Sequence, residues 1–205
     1  MIDARILPLQ RAALQPVAEF LAHRGIGADQ ISLTGFVAGF GAFIALCFGQ
    51  WPVALSLILL NRLLDGLDGA VARIAGPTDR GAYLDIAFDM VFYALIPLGF
   101  ALQAPETHAL PAAVLIVSFV GTGSSFLAFS AVAAKLGRKA ADFPTKGIYY
   151  SGGLAEGFET IALFVAMCLL PASFPVIAYG FAALCAVTTL IRWRQGWVAF
   201  SEAEH

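Results

Sequence analysis

Charge is scarce in this chain: Asp, Glu, Lys and Arg together make up 13% of its 205 residues, about half the roughly 25% of an ordinary soluble domain. With 60% hydrophobic residues and a mean hydropathy of +0.81, that scarcity excludes a soluble globular domain and places the chain in the membrane class. Cysteine is equally sparse. Cys47, Cys168 and Cys185 lie far apart in apolar runs without ligand spacing, so they read as small buried hydrophobes. No compact apolar core marks a cleavable leader, because Met1 to Arg24 is amphipathic and punctuated by Pro8 and Pro16. Internal repeats of the kind common in transporters are missing, as are linkers and low-complexity stretches.

What the chain does have is long apolar runs, each about the 20 residues that a bilayer core of about 30 Å requires. Six are bounded by Gly, Pro and charge: Ile31–Gly49, Pro52–Ala75, Arg80–Ala104, Ala109–Gly137, Gly147–Leu170 and Phe174–Val198. The fourth is long enough to tilt or to project past the membrane. Short connections make residues 1–205 one all-α integral membrane domain. The first, third and fifth connections carry no Lys or Arg, whereas Arg73, Arg80, Lys135, Arg138, Lys139 and Lys146 populate the second and fourth. The positive-inside rule therefore places both termini and the even-numbered connections in the cytoplasm, which requires an even number of spans. Ahead of the first span, residues 4–24 set Leu7, Leu14, Val17 and Leu21 against Arg11 and Glu19, the pattern of an amphipathic helix lying on the interface.

Four of the few acids stand where charge is most costly. The stretch NRLLDGLDGAVARIAGPTDRGAYLDIAFD, from Asn61 to Asp89, places Asp65 and Asp68 on the second apolar segment and Asp85 and Asp89 on the third. An unpaired carboxylate in hydrocarbon costs several kcal/mol, so such acids default to a functional reading. Residues three and four apart share a helical face. Asn61, Asp65, Asp68 and Ala72 thus run down one helix, and Gly81, Asp85 and Asp89 down its antiparallel neighbour. Asp68 precedes Gly76 by eight residues, about 12 Å at 1.5 Å per residue, so the acids sit near the cytoplasmic headgroups. Hard oxygen ligands with no nearby His or Cys select Mg²⁺, Mn²⁺ or Ca²⁺. Four carboxylates match two divalent ions, and Arg73 adds a positive fork suited to phosphate oxygens. The competing reading, structural ion pairs, leaves Arg62 and Arg73 to offset only two of the four acids.

This run resembles the signature of the CDP-alcohol phosphatidyltransferase family, Asp-x2-Asp-Gly-x2-Ala-Arg followed by Gly-x3-Asp-x3-Asp. Every fixed position is matched, at Asp65, Asp68, Gly69, Ala72, Arg73, Gly81, Asp85 and Asp89. One departure is the loop, where seven residues separate Arg73 from Gly81 and family members commonly have eight. The resemblance implies transfer of a phosphatidyl group from CDP-diacylglycerol to a small alcohol with release of CMP, dependent on Mg²⁺ or Mn²⁺, two ions by the charge count. It implies Asp65, Asp68, Asp85 and Asp89 as metal ligands and Asp89 as the general base. Gly69, Ala72, Arg73 and Gly81 would line the CDP site with Asp65 and Asp68, and Thr78 in the shortened loop and Thr34 would approach the nucleotide. A homodimer and a bacterial inner-membrane address are implied as well; nucleic acid is not an expected partner.

The acceptor is not legible. Lys135, Arg138, Lys139 and Lys146 either receive a phosphorylated acceptor or are ordinary positive-inside anchors. Glu156 and Glu159, on one face near the cytoplasmic start of the fifth span, either take hydrogen bonds from the acceptor or pair with Lys146 or Arg192. In the fourth span, Gly121, Thr122, Gly123, Ser124 and Ser125 either serve the acceptor or let helices pack. Asp29 or Ser32 is placed to cap the first span. A cation or proton transporter is the rival function. It also explains intramembrane acids, but expects repeated halves or broken helices with acids near the midplane.

Overall fold

The computed structural model describes the backbone of residues 3–137 and 157–201, with side chains from residue 13 onward. All regular structure in these residues is helical: α1 (Asp3–His23), α2 (Ala28–Cys47), α3 (Trp51–Ala75), α4 (Asp79–Gln103), α5 (Pro105–Lys135), α6 (Gly157–Leu169) and α7 (Phe174–Ser201), with a 3-10 turn at Pro171–Ser173. Among the described residues, four stretches are long and apolar enough to cross a membrane: α2, α4, α5 and the run Pro171–Ser201. α3 has the length, but its second half carries Arg62, Asp65, Asp68 and Arg73. The described part of α6 is 13 residues long.

Local chemistry sets these boundaries. Pro52 and Pro105 open α3 and α5, where the missing N–H would have no helical partner. Thr78 caps α4, its Oγ1 accepting from the Gly81 N–H at 3.0 Å. Gly76 has φ of +96° between α3 and α4, a region that a side chain disfavours. The expected cap of the first span is corrected. Gly27 is the N-cap, and its N–H donates to Gln30 Oε1 at 3.2 Å. With α2 starting at Ala28, Asp29 and Ser32 lie inside the helix and have other partners.

α2 packs on α3 and α4, α4 on α5, α5 on α7, and both α1 and α6 on α3. The main core joins Leu46, Ile58, Phe92, Ile96, Phe100, Leu115, Phe164 and Phe174, all buried. At the end of the bundle where α3 and α5 begin, Phe100 stacks on Trp51 at 5.2 Å and on Phe174 at 4.4 Å. The opposite end collects the C-termini of α3, α5 and α7 and the N-termini of α2, α4 and α6. There Ala18, Leu14 and Leu21 of α1 pack against Leu67, Ala70 and Val71 of α3, while Val17 and Phe20 face outward.

Close helix contacts depend on glycine. A Cβ at Gly99 would lie 2.7 Å from Leu46 Cβ and 3.2 Å from the Phe43 carbonyl oxygen, and no rotamer change relieves either contact. Gly99→Ala is expected to lower stability by about 1–3 kcal/mol, read as a fall in detergent-solubilised Tm, whereas Gly180→Ala, with open space around it, leaves Tm unchanged. The small residues of α5 serve packing too. A Cβ at Gly121 would meet Thr189 Oγ1 at 3.1 Å, and one at Gly123 would meet Met90 Sδ at 2.8 Å.

Candidate active site

At the end of the bundle bearing α1, a cavity of about 750 Å³ opens between α2, α3 and α4. Asp65, Asp68, Gly69, Ala72, Arg73, Thr78, Gly81 and Asp85 all line it, as does Leu14 of α1. The two helices meet as their period requires: one carboxylate oxygen from each of Asp65, Asp68 and Asp85 falls within 4.8 Å of the others. Asp68 is buried, Asp65 half-buried and Asp85 exposed. Three convergent carboxylates with no nitrogen or sulfur donor among them are a hard-oxygen set, which fits Mg²⁺ or Mn²⁺. Asp68 is further fixed by Ser32, whose Oγ donates to its Oδ2 at 2.5 Å and also lies 3.1 Å from the Ala28 carbonyl.

Asp89 stands apart from that group. Its Oδ1 accepts from Arg62 Nη2 at 2.7 Å, and the same guanidinium lies 3.6 Å from Asp65 Oδ2. Of the two arginines weighed as counter-charges, Arg62 is therefore engaged. Arg73 is exposed and lines the cavity without an ion pair among the described residues, so its fork is available to a ligand. A Cβ at Gly69 would meet only Arg73 Nη1, at 3.5 Å, whereas one at Gly81 would lie 3.1 Å from Thr78 Oγ1 and 3.2 Å from Asp29 Oδ1. Gly69 thus leaves space for a ligand, and Gly81 lets α2 and α4 approach. The cavity rim is closed by an ion pair between Asp29 and Arg80, with Arg80 Nε donating to Asp29 Oδ2 at 2.7 Å.

The remaining candidates divide. Thr34 is exposed, donates to the Gln30 carbonyl at 2.7 Å and does not line the cavity; Ser32, two residues earlier, does. Thr78 lines it while capping α4. Lys135 is exposed in the last turn of α5, at the same end of the bundle as the acids. Glu159 is half-buried in the first turn of α6, and its Oε2 has no hydrogen-bond partner among the described residues. Arg138, Lys139, Lys146 and Glu156 lie outside the described residues. Arg192 donates to the Thr122 carbonyl at 3.0 Å, tying α7 to α5. Arg62 enters the site as the counter-charge that the ion-pair reading offers, at i,i+3 spacing from Asp65. Ser32 and the Asp29–Arg80 pair carry no sequence signal as parts of the site.

The family model for CDP-alcohol phosphatidyltransferases matches residues 26–194. The chain belongs to this family. It is 47% identical over 204 residues to inner membrane protein YnjF of Escherichia coli (strain K12), covering 100% of this chain and 99% of that one. It is 33% identical over 93 residues to the archaetidylinositol phosphate synthase of Methanothermobacter thermautotrophicus, covering 45% of this chain and 46% of that one. Among solved structures it resembles Mycobacterium tuberculosis phosphatidylinositol phosphate synthase. With manganese and citrate, that protein gives a TM-score of 0.67 at 22% identity, over 90% of this chain and 88% of that one. With CDP-DAG bound, the values are 0.65 and 21%, over 90% and 93%. At that identity the likeness is one of fold.

Proposed function

We propose that this protein transfers a phosphatidyl group from CDP-diacylglycerol to a small alcohol in phospholipid biosynthesis, releasing CMP. The observation that carries the reading is a single cavity holding Asp65, Asp68 and Asp85 in convergence with the unengaged Arg73. The family match and the manganese- and CDP-DAG-bound relatives support it. Asp65, Asp68 and Asp85 would hold a divalent cation, which when bound neutralises pyrophosphate charge and eases departure of CMP. Arg73 grips phosphate oxygens bidentately. Gly69, Ala72 and Gly81 keep the wall low enough for the nucleotide, with Thr78 at its edge. Asp89 takes the proton of the acceptor hydroxyl. The acceptor oxygen then forms its bond to the β-phosphorus as the bond to the bridging pyrophosphate oxygen breaks, and that oxygen leaves on CMP. A second cation would add Asp89 to the ligands, its Oδ1 exchanging Arg62 for the ion.

A lipid donor and a polar acceptor meet only at a membrane surface. In our reading α2 to α7 are six spans of one domain in the bacterial inner membrane, with the acids and both termini on the cytoplasmic side. α1 lies on that surface with Val17 and Phe20 toward lipid, and the protein is a homodimer. The test is CMP release by purified protein from CDP-diacylglycerol with Mn²⁺, across glycerol 3-phosphate, serine, inositol phosphate and inositol. Release with one acceptor is expected; no release with any would overturn the reading.

Lys135, Arg138, Lys139, Lys146, Glu156 and Glu159 are the proposed acceptor contacts. A buried carboxylate oxygen without a partner costs about 1–3 kcal/mol, a cost that an acceptor hydroxyl or amine at Glu159 would relieve. Glu159→Gln is expected to raise acceptor KM about tenfold, the effect of about 1.4 kcal/mol, with donor KM unchanged. An unmoved acceptor KM would leave Glu159 as structural.

A further inference from the structure

We propose that Tyr93 is a specificity-determining residue, whose hydroxyl binds the polar group beside the reacting hydroxyl of the acceptor. The inference deepens the transfer reading and rests on it. Tyr93 follows Asp89 by four residues on α4, so the two share a helical face about 6 Å apart along the axis. Long side chains on a helix lean toward its N-terminus, which carries the phenol over the turn that bears Asp89. Arg62 ties the two together: its Nη2 donates to Asp89 Oδ1 at 2.7 Å, and its guanidinium carbon lies 5.7 Å from the Tyr93 ring centroid. The start of α6 shows where the hydroxyl ends. A Cβ at Gly157 would lie 3.8 Å from the Tyr93 hydroxyl oxygen, and Gly157 precedes Glu159 by two residues in the first turn of that helix.

The ring itself is fixed. Its centroid lies 5.9 Å from that of Phe92, 6.2 Å from Phe119 of α5 and 6.3 Å from Phe164 of α6, and Phe92 and Phe164 are fully buried. Tyr93 is half-buried among them. An apolar body locked in the core with its polar tip at the edge holds a hydroxyl in one place. A phenol both donates and accepts, whereas an ionised carboxylate such as Glu159 only accepts. The Tyr93 hydroxyl therefore suits either a hydroxyl or an amine on the carbon next to the reacting oxygen. With Asp89 at the reacting hydroxyl, the phenol reads its neighbour, and an acceptor that lacks the neighbouring group binds more weakly.

Tyr93→Phe tests this, because it removes one oxygen and keeps the ring and its packing. CMP release is measured with whichever of glycerol 3-phosphate, serine, inositol phosphate and inositol the natural protein uses, and with the deoxy or deamino analogue of that acceptor. Tyr93→Phe is expected to raise acceptor KM about tenfold, the loss of about one hydrogen bond, while donor KM and Mn²⁺ affinity stay within about twofold of the natural protein. The analogue raises KM for the natural protein by a similar factor. With the analogue, Tyr93→Phe and the natural protein share one KM, as partners in a single contact must. An acceptor KM that Tyr93→Phe moves by less than about twofold overturns the inference. So does a rise that persists with the analogue, because the phenol then supports the site without touching the acceptor. A natural protein that releases no CMP with any of the four acceptors overturns the transfer reading itself, and this inference with it.

Discussion

Asp85→Asn should remove cation binding and turnover together. The substitution keeps the shape of the side chain and its place on α4, but replaces a charged oxygen ligand with a neutral amide. Of the three convergent carboxylates, Asp85 is the exposed one, so its loss leaves no unpaired charge in the core and the fold should survive. Without the cation, nothing on the carboxylate side offsets the charge of the pyrophosphate. Charge stabilisation at a departing phosphate is worth several kcal/mol, and CMP release should fall about 10³-fold. Chelation by EDTA should do the same to the natural protein, with recovery on adding Mn²⁺ or Mg²⁺; metal-independent turnover would contradict the cation site. Ser32→Ala offers a graded comparison. Ser32 orients Asp68 through a 2.5 Å bond without being a ligand, so its removal should cost about tenfold in Mn²⁺ affinity.

Much of this site was legible because helical period is the only geometry it needs. Asp65 and Asp68 on α3 and Asp85 on α4 converge because spacings of three and four residues select one face, and a short turn at Gly76 makes the two helices antiparallel neighbours. Helix boundaries were legible where Pro, Gly and charge bracket apolar runs, as at Pro52 and Phe174. What one strand of sequence does not encode is the rotation of each helix about its axis. Thr34 was expected near the nucleotide, yet Ser32 lines the cavity. Two residues turn a helix by about 200°, so the difference is one of facing, fixed by how α2 packs through Gly35 and Gly39 against α3 and α4. For the same reason the partnerships of Arg62 with Asp89 and of Asp29 with Arg80, 27 and 51 positions apart, could not be read beforehand. The capping residue was misplaced for a simpler cause. Gly27 carries no side chain to announce itself, and the adjacent Asp29 has the stronger conventional signal.

The separation of Asp89 from the other three acids leads to an opposite expectation for Asp89→Asn. Because Asp89 is outside the convergent group and bound to Arg62, its amide should leave the cation on Asp65, Asp68 and Asp85 in place. At least one Mn²⁺ per chain, and a donor KM close to that of the natural protein, should therefore remain. Turnover should not. An amide is too weak a base to take the acceptor proton, and loss of a positioned general base typically lowers rates by about 10²–10⁴-fold. The comparison with Asp85→Asn is diagnostic, because both variants stop CMP release but only one loses the ion. If Asp89→Asn instead releases CMP at the natural rate, the proton goes elsewhere and Asp89 loses its assigned part. If every ion departs with the carboxylate, Asp89 is a ligand of the first cation as well.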